Sequence, residues 1–116
     1  MIITDTHTHL YLKQFNEDID DVISRALSVG VNRFYMPSIN SSYNKQMLQL
    51  MSRYSKNIFC MVGLHPCYVD ENYKKELDFV RDEIERNKTF IVINYYKYRG
   101  DIHVTRTTAT NNKTNH

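Results

Sequence analysis

Hydrophobic residues recur along the chain in two alternating patterns. Short apolar runs predict β-strands, and between them lie segments in which apolar residues recur at helical spacing. In the first helical segment, Ile19, Val22 and Ile23 continue into Ala26 and Leu27, which is the spacing of one helix face. The strands are predicted over residues 1–5, 31–37, 58–64 and 90–93, and the helices over residues 16–29, 42–54 and 71–86.

The regular alternation of strands and helices predicts an α/β fold. Strands separated by helices form βαβ units around a parallel sheet. Because parallel crossovers are right-handed, the strands are expected to form an open sheet or part of a barrel. Residues 1–5 are expected to form a short buried strand, and the apolar run at 58–64 a strand covered on both faces. Gly30 is expected to end the first helix.

The last residues break this pattern. Between residues 105 and 116 nothing is more apolar than Ala109, so the segment is expected to be disordered. Residues 94–116 also hold four basic side chains against one acidic, whereas residues 1–93 hold 11 against 12. The formal charge of +2 is therefore a property of the tail and does not by itself indicate nucleic-acid binding.

Composition excludes several classes of protein. No apolar run reaches the roughly 18 residues of a spanning helix, so no membrane association is expected. No leader-like segment is recognised, so the expected location is the cytoplasm, with Cys60 and Cys67 as free thiols. The chain has only three glycines and no phosphate-binding glycine loop, which argues against a dinucleotide or P-loop site.

The sharpest chemical feature is the motif Asp-Thr-His-Thr-His at residues 5–9, where the first strand ends. Alternate residues of an extended chain project to the same side, so His7 and His9 are expected to point together. Two imidazoles on one side can share a metal ion. Asp5 lies on that side too, either as a third ligand or as the acceptor that orients a ligating histidine.

A second feature is Gly-Leu-His-Pro at residues 63–66, at the end of the third strand. Sites in α/β folds lie at the carboxyl ends of strands, so His65 is expected on the same rim as the first motif. It could contact a substrate phosphate or bind metal. Tyr11 and Lys13 could shape the mouth of the site but are interpreted first as a solvated loop. Cys60 is interpreted as a core residue, and Cys67 as an incidental free thiol, with a third soft ligand as the alternative.

Both motifs, in this order and spacing, resemble signatures of the TatD family of metal-dependent hydrolases. The resemblance covers residues 1–93, which are expected to form the amino-terminal part of such a hydrolase, followed by a divergent and disordered tail at 94–116. It implies a partial (β/α) TIM-like barrel with the first three to four parallel strands. It also implies a divalent metal ion (Mg, Mn or Zn) at the strand ends and DNA as the substrate.

The resemblance further assigns roles to the residues of the two motifs. His7 and His9, with Asp5, would bind metal, and His65 would act in catalysis, facing the metal site and the scissile phosphate. Tyr11 stands where the family usually has Asp or Asn.

Two alternatives to a deoxyribonuclease remain. The family's Gly-Glu-x-Gly-Leu-Asp segment has no counterpart on the fourth strand, and a full barrel takes roughly 250 residues. Reading the tail shifted by one nucleotide from Thr105 can yield a Gln-rich segment like a helix of the family. The chain could therefore be a truncated or frameshifted, non-catalytic remnant that keeps half of the metal site. The second alternative is another hydrolase, amidohydrolase-like or a phosphoesterase of the PHP type.

A sheet of so few parallel strands also leaves an exposed edge. Unpaired edges invite pairing with other chains, so self-association is expected.

Overall fold

The computed structural model describes residues 1–86, 91–98 and 101–107, the last two segments by their backbone alone. The described strands form a single sheet in the order in which they follow one another along the chain. The strands are β1 Ile3–Asp5, β2 Val31–Pro37, β3 Ile58–Val62, β4 Ile91–Tyr98 and β5 Asp101–Thr107, and the helices are α1 Ile19–Ser28, α2 Asn44–Arg53 and α3 Tyr73–Arg86.

The first four strands are parallel, and one α-helix lies between each strand of this set and the next. Phe34 of β2 lies beside Ile58 of β3, and Met61 of β3 lies beside Ile91 of β4. A sheet in which neighbouring strands follow chain order is the arrangement of a (β/α) barrel opened along one side. The predicted α/β fold with parallel strands and covering helices is therefore confirmed.

The core lies between one face of the sheet and the helices. Strand residues on this face alternate with those on the other, as the two-residue period requires. The buried side chains of this core come from β2, from β3, from each helix and from the loop after β1. They include Phe34, Met36, Ile58, Cys60, Val62, Ile23, Met47, Val80 and Leu10. On the opposite face, Tyr35 and Phe59 stack with ring centroids 5.1 Å apart and are only half-buried. Met61, on the same face as Phe59, is 5% exposed, so the prediction that residues 58–64 are covered on both faces is confirmed except at Phe59.

β1 is the clearest departure from prediction, because it is not buried. Ile2 is 69% exposed and Ile3 is 40% exposed. Among the described residues β1 pairs only with β2, so it forms an edge of the sheet and its apolar side chains have few neighbours. Hydrophobic pattern alone cannot distinguish an edge strand from a central one.

Each helix begins two or three residues later than predicted. α1 begins at Ile19 after a series of turns, and α2 follows a short 3-10 helix at Ser41–Tyr43. The Asn40 side chain accepts a hydrogen bond from the Ser42 N–H and thereby caps that 3-10 helix. Gly30 ends α1 as predicted, with a φ of 95° that side chains other than glycine rarely adopt.

The segment after residue 93 also differs from expectation. β4 continues to Tyr98, and β5 pairs with it antiparallel, so that Val92 lies beside Thr107 and Tyr98 beside Asp101. The prediction of a disordered tail is therefore wrong for residues 94–98 and 101–107, because β-branched and aromatic residues favour strands even where the segment is polar. The rest of the predicted tail, 99–100 and 108–116, lies outside the described residues, as does Phe90. Within the described part of the chain, no helix has the length and apolar character that crossing a bilayer requires.

Candidate functional site

The loop after β1 is held against β2 by a backbone hydrogen bond. The Thr8 N–H donates to the Tyr35 carbonyl oxygen at 3.0 Å. The Asp5 carboxylate accepts a hydrogen bond from the His7 N–H at 3.1 Å, which closes a tight turn of the kind that Asp often forms with the residue two positions later. These two contacts fix the backbone of the loop from which His7 and His9 project.

His7 and His9 lie together, as the sequence predicts. Their ring centroids are 5.1 Å apart with an angle of 81° between the ring planes. A metal–nitrogen distance of about 2.1 Å would put two ligating rings about 5 Å apart at a roughly tetrahedral angle, so this pair fits a shared metal ion. The two imidazoles are therefore compatible with the metal centre that the sequence indicates.

Asp5 does not join the two histidines in a compact ligand group. Among residues 1–86 and the two described strands that follow, no three His, Cys, Asp or Glu side chains converge as a metal-binding group. The described role of Asp5 is the hydrogen bond to the His7 backbone. This hydrogen bond orients the His7 backbone through one carboxylate oxygen and is compatible with both roles considered for Asp5.

His9 has a specific hydrogen-bond partner that sequence interpretation missed. Its Nδ1 lies 2.8 Å from the Tyr11 hydroxyl, which in turn lies 2.6 Å from the Pro37 carbonyl oxygen at the end of β2. Tyr11 is only 4% exposed, so the interpretation of this residue as part of a solvated loop is wrong. Lys13, by contrast, is exposed as expected. The only available sequence signal was an aromatic residue two positions after a histidine.

The surroundings of His9 favour its neutral form. Burial lowers the pKa of His9 most, and the nearby His7 and His65 lower it further, partly opposed by the Pro37 backbone. A histidine ligand must be deprotonated at the coordinating nitrogen. The lowered pKa of His9 therefore favours the neutral imidazole, the form that a metal ligand requires.

His65 lies on the same rim. Its backbone N–H donates to the Ile39 carbonyl oxygen at 2.8 Å, just beyond the end of β2. His7 and His65 both line one cleft of about 340 Å³, together with Thr6, Pro37, Ser38 and Met61. The structure thus brings His7, His9 and His65 to one end of the sheet, as predicted from the position of each motif at a strand end.

The His65 ring is oriented by its own loop. The Cys67 N–H donates to His65 Nδ1 at 3.1 Å, and the Tyr68 ring packs edge-on against the imidazole with centroids 5.9 Å apart. Because Nδ1 accepts this hydrogen bond, the ring carries its proton on Nε2. His65 therefore presents a hydrogen-bond donor at Nε2.

The two cysteines have different environments. Cys60 is buried in the core, as predicted, and burial raises the pKa of its thiol to about 12. Cys67 is exposed, and both are free thiols. The Cys67 contact described with His65 is made by its backbone N–H.

Helix-covered parallel strands with histidines at their carboxyl ends define an α/β protein of the class whose sites lie on that rim. Over residues 4–100 the sequence matches the family described as TatD related DNase. The chain belongs to the TatD family. The family inferred from the two motifs is thereby confirmed, and the match extends past residue 93, the end of the predicted resemblance.

Individual relatives agree with this family. A protein of Haemophilus influenzae named as an uncharacterized metal-dependent hydrolase is 28% identical over 87 residues, covering 73% of this chain and 33% of that protein. The human deoxyribonuclease TATDN3 is 30% identical over 64 residues, covering 55% of this chain and 23% of that protein. The uncharacterized metal-dependent hydrolase YabD of Bacillus subtilis is 24% identical over 81 residues, covering 70% and 31%. The chain spans about a third or less of the length of these relatives.

Proposed function

We propose that this protein hydrolyses phosphodiester bonds of DNA with a divalent metal ion held by His7 and His9. The observation that carries the proposal is the 5.1 Å separation of the two imidazole centroids at the rim where His65 also lies. One relative is named a deoxyribonuclease and others are named metal-dependent hydrolases, which supports both the substrate and the metal.

Each residue of the rim has a distinct part in the proposed reaction. A bound divalent cation lowers the pKa of a water molecule and polarises a phosphoryl oxygen. His7 and His9 would hold the cation, and Asp5 would fix the His7 backbone through its 3.1 Å hydrogen bond. The metal could be Mg, Mn or Zn; imidazole ligands suit Zn and Mn better than Mg.

His65 is proposed to bind the phosphate and not the metal. Its Nδ1 is occupied by the Cys67 N–H, which leaves the protonated Nε2 as a donor. A protonated nitrogen cannot coordinate a cation, but it can donate to a phosphate oxygen on which negative charge develops. Because His65 and His7 line the same cleft, a phosphate there could contact the donor and the metal together.

The direct test is cleavage of a labelled DNA strand by the full chain, with Mg²⁺ and then with Mn²⁺. The double variant His7→Ala/His9→Ala should lose metal-dependent cleavage. The matched control is Ser24→Ala/Gln49→Ala, which alters two exposed neutral residues of α1 and α2 and should leave cleavage unchanged.

Two other outcomes would favour the alternatives. Cleavage by the wild-type chain no greater than by the His7→Ala/His9→Ala variant would favour a non-catalytic protein that keeps part of a metal site. Metal-dependent hydrolysis of a phosphomonoester or an amide, without cleavage of DNA, would favour a phosphoesterase of the PHP type or an amidohydrolase-like activity.

A further inference from the structure

We propose that Tyr11 is a positioning residue that holds the His9 proton on Nδ1 and so leaves the lone pair of Nε2 available for a cation. This inference rests on the proposed role of His9 as a metal ligand. It concerns a residue that touches neither metal nor substrate, and it follows from the donors and acceptors around one hydroxyl group.

The direction of each hydrogen bond is determined by counting protons. The Tyr11 hydroxyl lies 2.6 Å from the Pro37 carbonyl oxygen, which can only accept a hydrogen bond. The single hydroxyl proton of Tyr11 is therefore used in that bond. The contact of 2.8 Å between the hydroxyl oxygen and His9 Nδ1 must then be donated by an Nδ1–H group. A neutral imidazole with its proton on Nδ1 has its lone pair on Nε2.

The packing around Tyr11 keeps this arrangement in place. The ring is buried and packs against Tyr43 with centroids 5.6 Å apart, and it meets His9 edge-on at 5.7 Å. A tyrosine hydroxyl keeps its proton at neutral pH and so can donate to the Pro37 carbonyl. Pro37 ends β2, so its carbonyl belongs to the sheet rather than to a loose loop.

Tyr11 thereby performs the task usually given to a carboxylate or a backbone carbonyl next to a ligating histidine, which is to accept the other ring N–H. The result is opposite tautomers in two histidines of one rim. His9 is protonated on Nδ1 and can bind a cation through Nε2, whereas His65 is protonated on Nε2 and can only donate there. Neither ring has to change its protonation for its proposed part.

The first experiment measures the His9 tautomer by long-range ¹H–¹⁵N correlation NMR of the metal-free full chain above pH 7. The wild-type protein should show the Nδ1–H form of His9 and the Nε2–H form of His65. The variant Tyr11→Phe keeps the ring and removes the hydroxyl, and should shift His9 towards the Nε2–H form that free imidazoles prefer. The control Tyr43→Phe removes the hydroxyl of the ring packed on Tyr11 and should leave the His9 signals unchanged.

The second experiment measures Zn²⁺ and Mn²⁺ affinity by titration calorimetry. Tyr11→Phe should weaken metal binding by about 10- to 100-fold, the usual effect of removing the partner of a ligating histidine, and Tyr43→Phe should not. His7→Ala/His9→Ala should abolish binding. If the wild-type protein binds no more metal than this double variant, the proposed function fails. In that case the NMR result still decides whether Tyr11 sets the tautomer of His9.

Three results would overturn the inference about Tyr11. One is a wild-type His9 protonated on Nε2, which needs no variant and so stands even if Tyr11→Phe folds poorly. Another is a His9 tautomer that Tyr11→Phe leaves unchanged. The third is a tautomer shift in Tyr11→Phe with an unaltered metal affinity, which would make the tautomer irrelevant to binding.

Discussion

The Glu76 carboxylate of α3 binds both polar groups of Ser41, accepting from the backbone N–H at 2.9 Å and from the side-chain hydroxyl at 2.8 Å. Ser41 begins the 3-10 helix that leads into α2, so the carboxylate of one helix caps the start of another. Negative charge is favourable at such a start because the first N–H groups have no partner within the helix. This contact joins two helices that follow different strands.

Replacing Glu76 by Ala should therefore destabilise the fold, by about 2 kcal/mol, because a half-buried backbone N–H loses a charged acceptor. Urea unfolding followed by circular dichroism gives the free energy of unfolding. The matched control is Asp78→Ala on the same helix, whose ion pair with Arg81 is exposed and contributes little. An equal loss in both variants would show that Glu76 contributes only general helix stability.

Substitution of Gly30 should also lower stability. A Cβ at this position would lie 2.6 Å from the Met1 carbonyl oxygen, and the φ of 95° is unfavourable for any side chain. We expect Gly30→Ala to lower the free energy of unfolding by about 2 kcal/mol in the same urea measurement. Ser24→Ala, at an exposed position in the middle of α1, should have no effect or stabilise slightly. A neutral Gly30→Ala would mean that the backbone there adopts another conformation.

The proposed donor role of His65 predicts a difference between two substitutions. His65→Ala should reduce kcat for DNA cleavage by about 100- to 1,000-fold, the usual effect of losing one donor to developing charge. His65→Gln can still donate from its amide and should recover part of that loss with little change in KM. Metal affinity should be unaffected in both variants. A large loss of metal binding in His65→Ala would instead assign His65 to the ligand set.

The exposed edge of the sheet predicts self-association. β1 has no second neighbour among the described residues, and both its first residue, Ile3, and the preceding Ile2 are exposed. If copies of the chain meet at this edge, Ile2→Lys should weaken association by about tenfold, because a charge would have to be buried there. Light scattering across a concentration series gives the molar mass. Leu27→Lys, on the exposed surface of α1, serves as the control for a general loss of hydrophobic surface.

Much of the architecture could be predicted because it depends on local periodicity. Apolar runs and helical spacing predict the order of β1 to β4 and the three helices without any tertiary information. The two-residue period of an extended chain predicts the pairing of His7 with His9, although in the structure both lie in the loop after β1. His65 could be placed on the same rim because parallel strands end on one side of the sheet.

What could not be predicted depends on atoms distant in sequence. Tyr11 is fixed by a backbone carbonyl 26 residues away, and backbone groups leave no mark in a sequence. Glu83 lies on the buried face of α3, where its carboxylate accepts hydrogen bonds from Asn44 and Arg86. The helical pattern predicts apolar residues on that face. The exposure of β1 follows from its place at the edge of the sheet, which hydrophobicity does not reveal.

β2 supplies no histidine, yet both motifs are attached to it or to the two residues that follow it. The Tyr35 carbonyl accepts from Thr8 of the first motif, and the Pro37 carbonyl accepts from Tyr11 just after that motif. Beyond the end of β2, the Ser38 N–H donates to Met61 of β3 and the Ile39 carbonyl accepts from the His65 N–H. β2 and the two residues after it thus set the distance between the two motifs. A two-residue slip of β3 along β2 would displace His65 by about 6.6 Å relative to His9. The separation of His9 from His65 therefore depends on the register between β2 and β3 as much as on the two loops that carry the histidines.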